Sequence, residues 1–191
     1  MLHIDGDLLT YRIACAVGDD GEAWQIKANL DSYITKEILM QFDEATPYAI
    51  YLSPSDGVFR DSVAVTAPYK GQRGEKPKFL ALAREHLQEK WGAQIEKGLE
   101  ADDLIATAVT EQGGVIVSID KDFNQLPVQR YDFVQKTWEH PTRDEAVKKT
   151  TKDSTDAEFR EKWSFGPKGM KEADSSKVED YKRNLQLRNA G

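Results

Sequence analysis

The sequence predicts an α/β fold built on a mainly parallel central sheet flanked by helices, with a short polar C-terminal extension. Three observations carry that expectation. The apolar runs "LHI" before Asp5, "YAIYL" before Ser53 and "GVIVSI" before Asp120 have the length and uninterrupted apolarity of strands buried on both faces. Stretches of helical character lie between them, the alternation that parallel strands need. After about residue 140 the pattern weakens, and only 13 of the 51 residues from Pro141 onward are hydrophobic.

In chain order, "LHI" is the first strand and residues 8–17 follow as a helix. A second helix is expected over 32–42 ("SYITKEILMQF"), then the strand "YAIYL". Over 79–91 ("FLALAREHLQEKW"), Phe79, Ala83, Leu87 and Trp91 recur at four-residue steps, which gives a helix one apolar face. Another helix begins at "EADD" and feeds the strand "GVIVSI". The organisation is therefore one core over residues 1–140 and an extension over 141–191, without internal repeats or low-complexity segments.

The chain has 191 residues, 39% of them hydrophobic and 31% charged, which suits one polar globular domain. No apolar run approaches the roughly 18 residues of a membrane span, and "MLHIDGDLLTYRIACAVGDD" has neither a basic start nor a cleavage site, so a cytoplasmic location is expected. Cys15 is the single cysteine, which excludes an internal disulfide and reads as buried filler. The three histidines (His3, His86, His140) are scattered, which argues against a histidine-built metal site. The net charge of −7 argues against a nucleic-acid partner only if it is spread evenly, and it is not. Residues 141–191 hold 12 basic against 10 acidic side chains, leaving 14 against 23 before them.

In a parallel sheet, ligands gather beyond the carboxyl ends of the strands. The acids fall there. Asp5 ends the first strand, Asp120 and Asp122 follow a later one in "SIDKDF", and Glu100, Asp102 and Asp103 open a helix in "GLEADDLIATAV". Six carboxylates on one crevice would raise one another's pKa and force protonation unless cations neutralise them. A donor set of oxygens alone selects hard ions, Mg²⁺ or Mn²⁺, and two such ions about 4 Å apart suit phosphodiester hydrolysis. Taken singly, each motif has a plainer reading: acids at a helix start favour the dipole, and "DKD" suits an exposed turn.

These residues resemble the 5′-nuclease family: flap endonucleases, the 5′-nuclease domain of bacterial DNA polymerases and, most of all, bacteriophage 5′–3′ exonucleases. The matching blocks are "HIDGDLLTYRIA", "VFRDSV…PYKGQR", "GLEADDLIATAV" and "SIDKDFNQL", in family order over roughly residues 1–126. The resemblance implies a PIN-like 5′-nuclease core, with an arch over about residues 68–93, that hydrolyses DNA in replication. The substrates it implies are duplex ends, flaps or nicks, with RNA–DNA hybrid also open. It also implies that Asp5, Glu100, Asp102, Asp103, Asp120 and Asp122 bind two Mg²⁺ or Mn²⁺ ions. Asp153 and Asp156 in "KDSTD" join them. Tyr69, Lys70 and Arg73 would stack on or steer the terminal nucleotide and neutralise the scissile phosphate, a role that fits a cation and an aromatic face. On its own "YKGQR" is a solvated basic loop. Arg12 and Arg60 fall at family DNA-contacting positions, with surface salt bridging as the alternative. "FGPKGMKEA" (165–173), with Lys168, resembles the end of a helix–hairpin–helix loop that grips duplex backbone through glycine amides and K⁺, although the first glycines are missing.

Two departures stand out. Ser53 replaces an aspartate that many relatives carry after the second strand, so either water takes that ligand place or Asp56 compensates. The Asn-Ile-Pro-Gly segment expected after "KDSTD" is replaced by "AEFREKWS". Two other readings stay open. Asp5 and Asp7 have the spacing of a haloacid-dehalogenase-type phosphatase, whose first acid is a nucleophile, but Leu9 stands where that pattern wants threonine. A catalytically impaired DNA-binding module would bind without metal.

Overall fold

The computed structural model describes residues 1–58 and 75–146. The strands are β1 (Leu2–Asp5), β2 (Tyr48–Leu52), β3 (Gln94–Ile95), β4 (Val115–Val117), β5 (Gln129–Asp132) and β6 (Thr137–Glu139). They form one six-stranded sheet of order β3-β2-β1-β4-β5-β6, parallel throughout except for the antiparallel β5–β6 pair. The helices are α1 (Gly6–Val17), α2 (Ala23–Ser32), α3 (Leu80–Trp91) and α4 (Ala101–Gln112). The chain is thus the mainly parallel, helix-flanked α/β fold that the sequence predicts. No helix among the described residues is long and apolar enough to cross a membrane.

Side chains alternate across the strands, so each buried strand feeds two cores. Leu2 and Ile4 of β1 and Ile50 and Leu52 of β2 pack with Leu9 and Ile13 of α1, Ile26 and Leu30 of α2, and Ala83 and Leu87 of α3. Ala49 and Tyr51 face the other way and pack with Ile105, Ala108 and Val109 of α4. His3 belongs to that second side. It stacks on Tyr51, lies 3.1 Å from the Tyr51 hydroxyl and 2.9 Å from the Gly113 carbonyl, and burial pushes its pKa down.

The expected face of α3 is present: Ala83 and Leu87 are buried, and Phe79 and Trp91 pack partly buried against the same core. Asp31 of α2 ties the two helices together, with His86 Nε2 at 2.8 Å, Lys90 Nζ at 2.7 Å and Trp91 Nε1 at 2.8 Å. The helical stretch expected over 32–42 is present through Gln41, but the helix begins earlier and changes type along its length. The α-helix starts at Ala23, after a reciprocal capping box between Glu22 and Gln25, and ends at Ser32. Tyr33–Ile38 then continues as a π-helix and Leu39–Gln41 as a 3₁₀ turn, which keeps Ile34 and Ile38 buried. Cys15 is corrected: α1 buries Leu9, Thr10, Ile13 and Ala14, which leaves Cys15 on the exposed side.

Gly6 shows how tightly α1 starts against the sheet. A Cβ there would lie 2.7 Å from the Tyr51 carbonyl oxygen and 2.9 Å from side-chain carbons of Ile50 and Leu52. Backbone cannot give way as a flexible side chain can, so Gly6→Ala should cost about 1–3 kcal/mol of stability. Urea denaturation would measure this, and an unchanged midpoint would contradict it.

Candidate metal centre

Strands β2, β1 and β4 are neighbours and end on one edge of the sheet. Asp5 closes β1 and caps α1, its carboxylate accepting the Leu8 N–H at 3.1 Å. Ser118 follows β4 directly. Its hydroxyl donates to Asp5 Oδ2 at 2.8 Å and accepts the Asp120 N–H at 3.0 Å. Asp120 then caps the 3₁₀ turn Lys121–Gln125 by accepting the Asp122 N–H at 2.8 Å. One serine thus fixes the spacing between the acid after β1 and the acids after β4.

Ser53, just past β2, does the same on the other side. Its N–H donates to Asp7 Oδ2 at 3.1 Å, its hydroxyl also donates to Asp7 Oδ2, and its Oγ accepts the Ala101 N–H at 3.0 Å. Arg84 of α3 completes the group by donating to Asp7 Oδ1 and to the Ser53 carbonyl. Ala101 is the first residue of α4, whose N-terminus carries Glu100, Asp102 and Asp103. The Asp103 carboxylate accepts the Glu100 N–H at 3.2 Å, and the Asp102 carboxylate accepts the Asp103 N–H at 2.9 Å. One carboxylate oxygen from each of the three lies within 4.8 Å of the other two, with Glu100 buried, Asp103 half-buried and Asp102 exposed. The capping reading and the ligand reading of "EADD" therefore describe the same atoms.

Asp5 records the electrostatics of this edge. It is 6% exposed, and its carboxyl is pushed up to about 7. Burial is the main cause, the charges of Asp7 and Asp120 act the same way, and the hydrogen bonds from Leu8 and Ser118 oppose them. A buried carboxylate short of counter-charge, beside further carboxylates, fits a hard divalent cation. All candidate ligands on this edge are oxygens, the donor set of Mg²⁺ or Mn²⁺.

Sequence reasoning missed the groups that hold these acids in place. Arg130 of β5 is 1% exposed, and its guanidinium donates to the Ser118 carbonyl at 2.8 Å and to Asn124 Oδ1 at 3.0 Å. It thereby pins both ends of the segment carrying Asp120 and Asp122. Glu139 of β6 lies 2.7 Å from Arg130 Nη2, and the Arg130 guanidinium beside it holds the Glu139 carboxyl below its usual value, aided by Asn124. Ser53, Asp7 and Arg84 form the second missed group. Their partners are 31 to 77 residues apart, and no local spacing marks them.

Of the residues expected at the site, Asp5, Glu100, Asp102, Asp103, Asp120 and Asp122 lie on or beside this edge. Arg12 is exposed on α1, and Asp56 is exposed beyond β2. Arg60, Tyr69, Lys70, Arg73, Asp153, Asp156 and Lys168 lie outside the described residues, as do the start of the expected arch and residues 147–191 of the extension.

A family model described as the 5′-3′ exonuclease N-terminal resolvase-like domain matches residues 1–164. The chain is also similar to "Flap endonuclease Xni" of Shewanella oneidensis, with 32% identity over 148 residues, covering 73% of this chain and 54% of that protein. It thus spans about half the length of that relative.

The Asp5 shift makes a prediction about pH. Because its folded-state pKa is raised, the metal-free folded chain keeps a proton between about pH 4 and 7 that the unfolded chain releases. The resulting stability is present below about pH 4 and is lost as pH rises through about 7. Compared with Asp5→Asn, the wild type in EDTA should lose up to roughly 4 kcal/mol over that range. Parallel pH dependences of the two proteins in thermal melts would refute this.

Proposed function

From a chain that belongs to the family of 5′-3′ exonuclease N-terminal resolvase-like domains, we propose a metal-dependent 5′-nuclease that hydrolyses DNA phosphodiester bonds as a 5′–3′ exonuclease, a flap endonuclease or both. The observation that carries this reading is the row of carboxylates spaced by Ser53 and Ser118 along the ends of β2, β1 and β4. Asp5, Glu100, Asp102, Asp103, Asp120 and Asp122 would hold two Mg²⁺ or Mn²⁺ ions, joined by Asp153 and Asp156. Bound there, the ions would supply a water of lowered pKa and positive charge at the leaving oxygen.

The other roles belong to the chain's own side chains. Lys70 and Arg73 neutralise charge that develops on the transferring phosphoryl group, and Tyr69 offers a stacking face to the terminal base. Arg12, Arg60 and Lys168 hold the DNA backbone by charge. We assign residues 1–140 to the nuclease core and 141–191 to an extension that grips duplex through Lys162, Lys168, Lys171, Lys182 and Arg183. In Asp7, the second acid that a phosphatase would need, both carboxylate oxygens are engaged, one by Arg84 and the other by Ser53.

The decisive assay incubates 5′-labelled duplex, flap and single-stranded DNA, and RNA–DNA hybrid, with Mg²⁺, Mn²⁺ or EDTA. Cleavage should require the cation. Asp120→Asn and Asp122→Asn should each abolish it while leaving DNA binding intact, and Lys70→Ala should slow it by roughly 10²-fold. Undiminished cleavage in EDTA would sink the mechanism. DNA binding without cleavage would favour the binding module, and release of phosphate from a monoester through an Asp5 acyl-phosphate would favour the phosphatase.

The extension is tested by salt. Four or five lysine or arginine contacts to phosphate should reduce duplex affinity roughly 10²-fold between about 50 and 200 mM salt. A chain truncated after residue 150 that cleaves as well as the whole at every salt concentration would leave the extension without that role.

A further inference from the structure

Arg84 contributes nothing to the mechanism above, yet it stands on the candidate edge. It is a guanidinium on α3 with its side chain 19% exposed, directed away from the helix and onto the end of β2. Its two terminal nitrogens reach two different acceptors, Asp7 Oδ1 and the Ser53 carbonyl. The group continues inward. Ser53 holds the other Asp7 oxygen through its N–H and its hydroxyl, and Ser53 Oγ accepts the N–H of Ala101. That amide is one of the four at a helix start that find no partner within the helix. Four elements meet at two small polar side chains and one arginine: the start of α1, the end of β2, the side of α3 and the N-terminus of α4.

We propose that Arg84 and Ser53 are positioning residues, which lock the first turn of α4, and with it Glu100, Asp102 and Asp103, against the end of β2. This rests on the nuclease reading only for its consequence in catalysis. The geometry favours the guanidinium fork over a point charge. One nitrogen fixes a side chain of α1 while the other fixes the backbone after β2, so α3 cannot shift without breaking both bonds. Lysine would keep the charge and lose the second contact. Ser53 is equally specific, because one hydroxyl serves as donor to Asp7 and acceptor from Ala101, which alanine cannot do.

The test compares wild type with Ser53→Ala, Ser53→Thr, Arg84→Gln and Arg84→Lys by three measurements on the whole chain. Hydrogen–deuterium exchange at the amides of Ala101, Asp102 and Asp103 reads the lock itself, independently of any activity. It should rise in Ser53→Ala and Arg84→Gln, stay near wild type in Ser53→Thr, and rise partly in Arg84→Lys. Calorimetric titration with Mn²⁺ should show about 10-fold weaker binding in Ser53→Ala and Arg84→Gln. Cleavage should lose kcat with KM for DNA unchanged. Unaltered exchange at these three amides in both Ser53→Ala and Arg84→Gln overturns the proposal. If exchange rises but the wild type neither binds Mn²⁺ nor cleaves DNA, the lock stands and the nuclease reading is what fails.

Discussion

Repulsion among carboxylates is the constraint on which the rest of this structure depends. A fold that brings Asp5, Asp7, Glu100, Asp102, Asp103, Asp120 and Asp122 to one sheet edge must counter that charge without dispersing it. The chain does so with fixed dipoles. Asp5 and Glu100 sit at the N-caps of α1 and α4, where unpaired N–H groups and the helix dipole favour a negative charge. Serine hydroxyls on either side of β1 act as spacers, and Arg84 neutralises Asp7 alone. Asp5, at the centre and buried, remains short of counter-charge.

The burial of Arg130 follows from the same constraint. An arginine that is 1% exposed is costly unless it is paired, and here Nε and Nη1 donate to an amide oxygen and a carbonyl, while Nη2, which makes no hydrogen bond, has the Glu139 carboxylate 2.7 Å away as its counter-charge. β6 exists in part to bring Glu139 to that guanidinium. The last two strands thus supply Arg130 and Glu139, which hold Ser118 and Asn124 on either side of Asp120 and Asp122.

Much of this was legible in the sequence, and the failures have definite causes. β1, β2 and β4 are continuous apolar runs, and the acids lie directly beyond two of them, so both the fold and the acidic edge could be read. The helix of residues 79–91 announced itself through Phe79, Ala83, Leu87 and Trp91. β5 did not, because "QRYD" buries a charged residue of each sign that only tertiary partners make tolerable. β3 has two residues and no pattern. The start of α2 was missed because its signal is a Glu22–Gln25 capping box rather than the commoner serine or aspartate cap. Cys15 was misplaced because α1 directs a narrower face inward than its composition suggests.

Ser53 shows most clearly where local reading stops. Viewed alone, it reads as an acid missing after a strand, with the nearby Asp56 as the obvious substitute. Asp56 is exposed beyond the strand, whereas Asp7, from a different element, puts its carboxylate against Ser53 itself. Serine at 53 and aspartate at 7 thus form one unit. Asp7 brings a carboxylate to position 53 from another element, but Arg84 pairs with it, so the unit as a whole adds no net charge to the edge. An aspartate at 53 would set two carboxylates on one arginine.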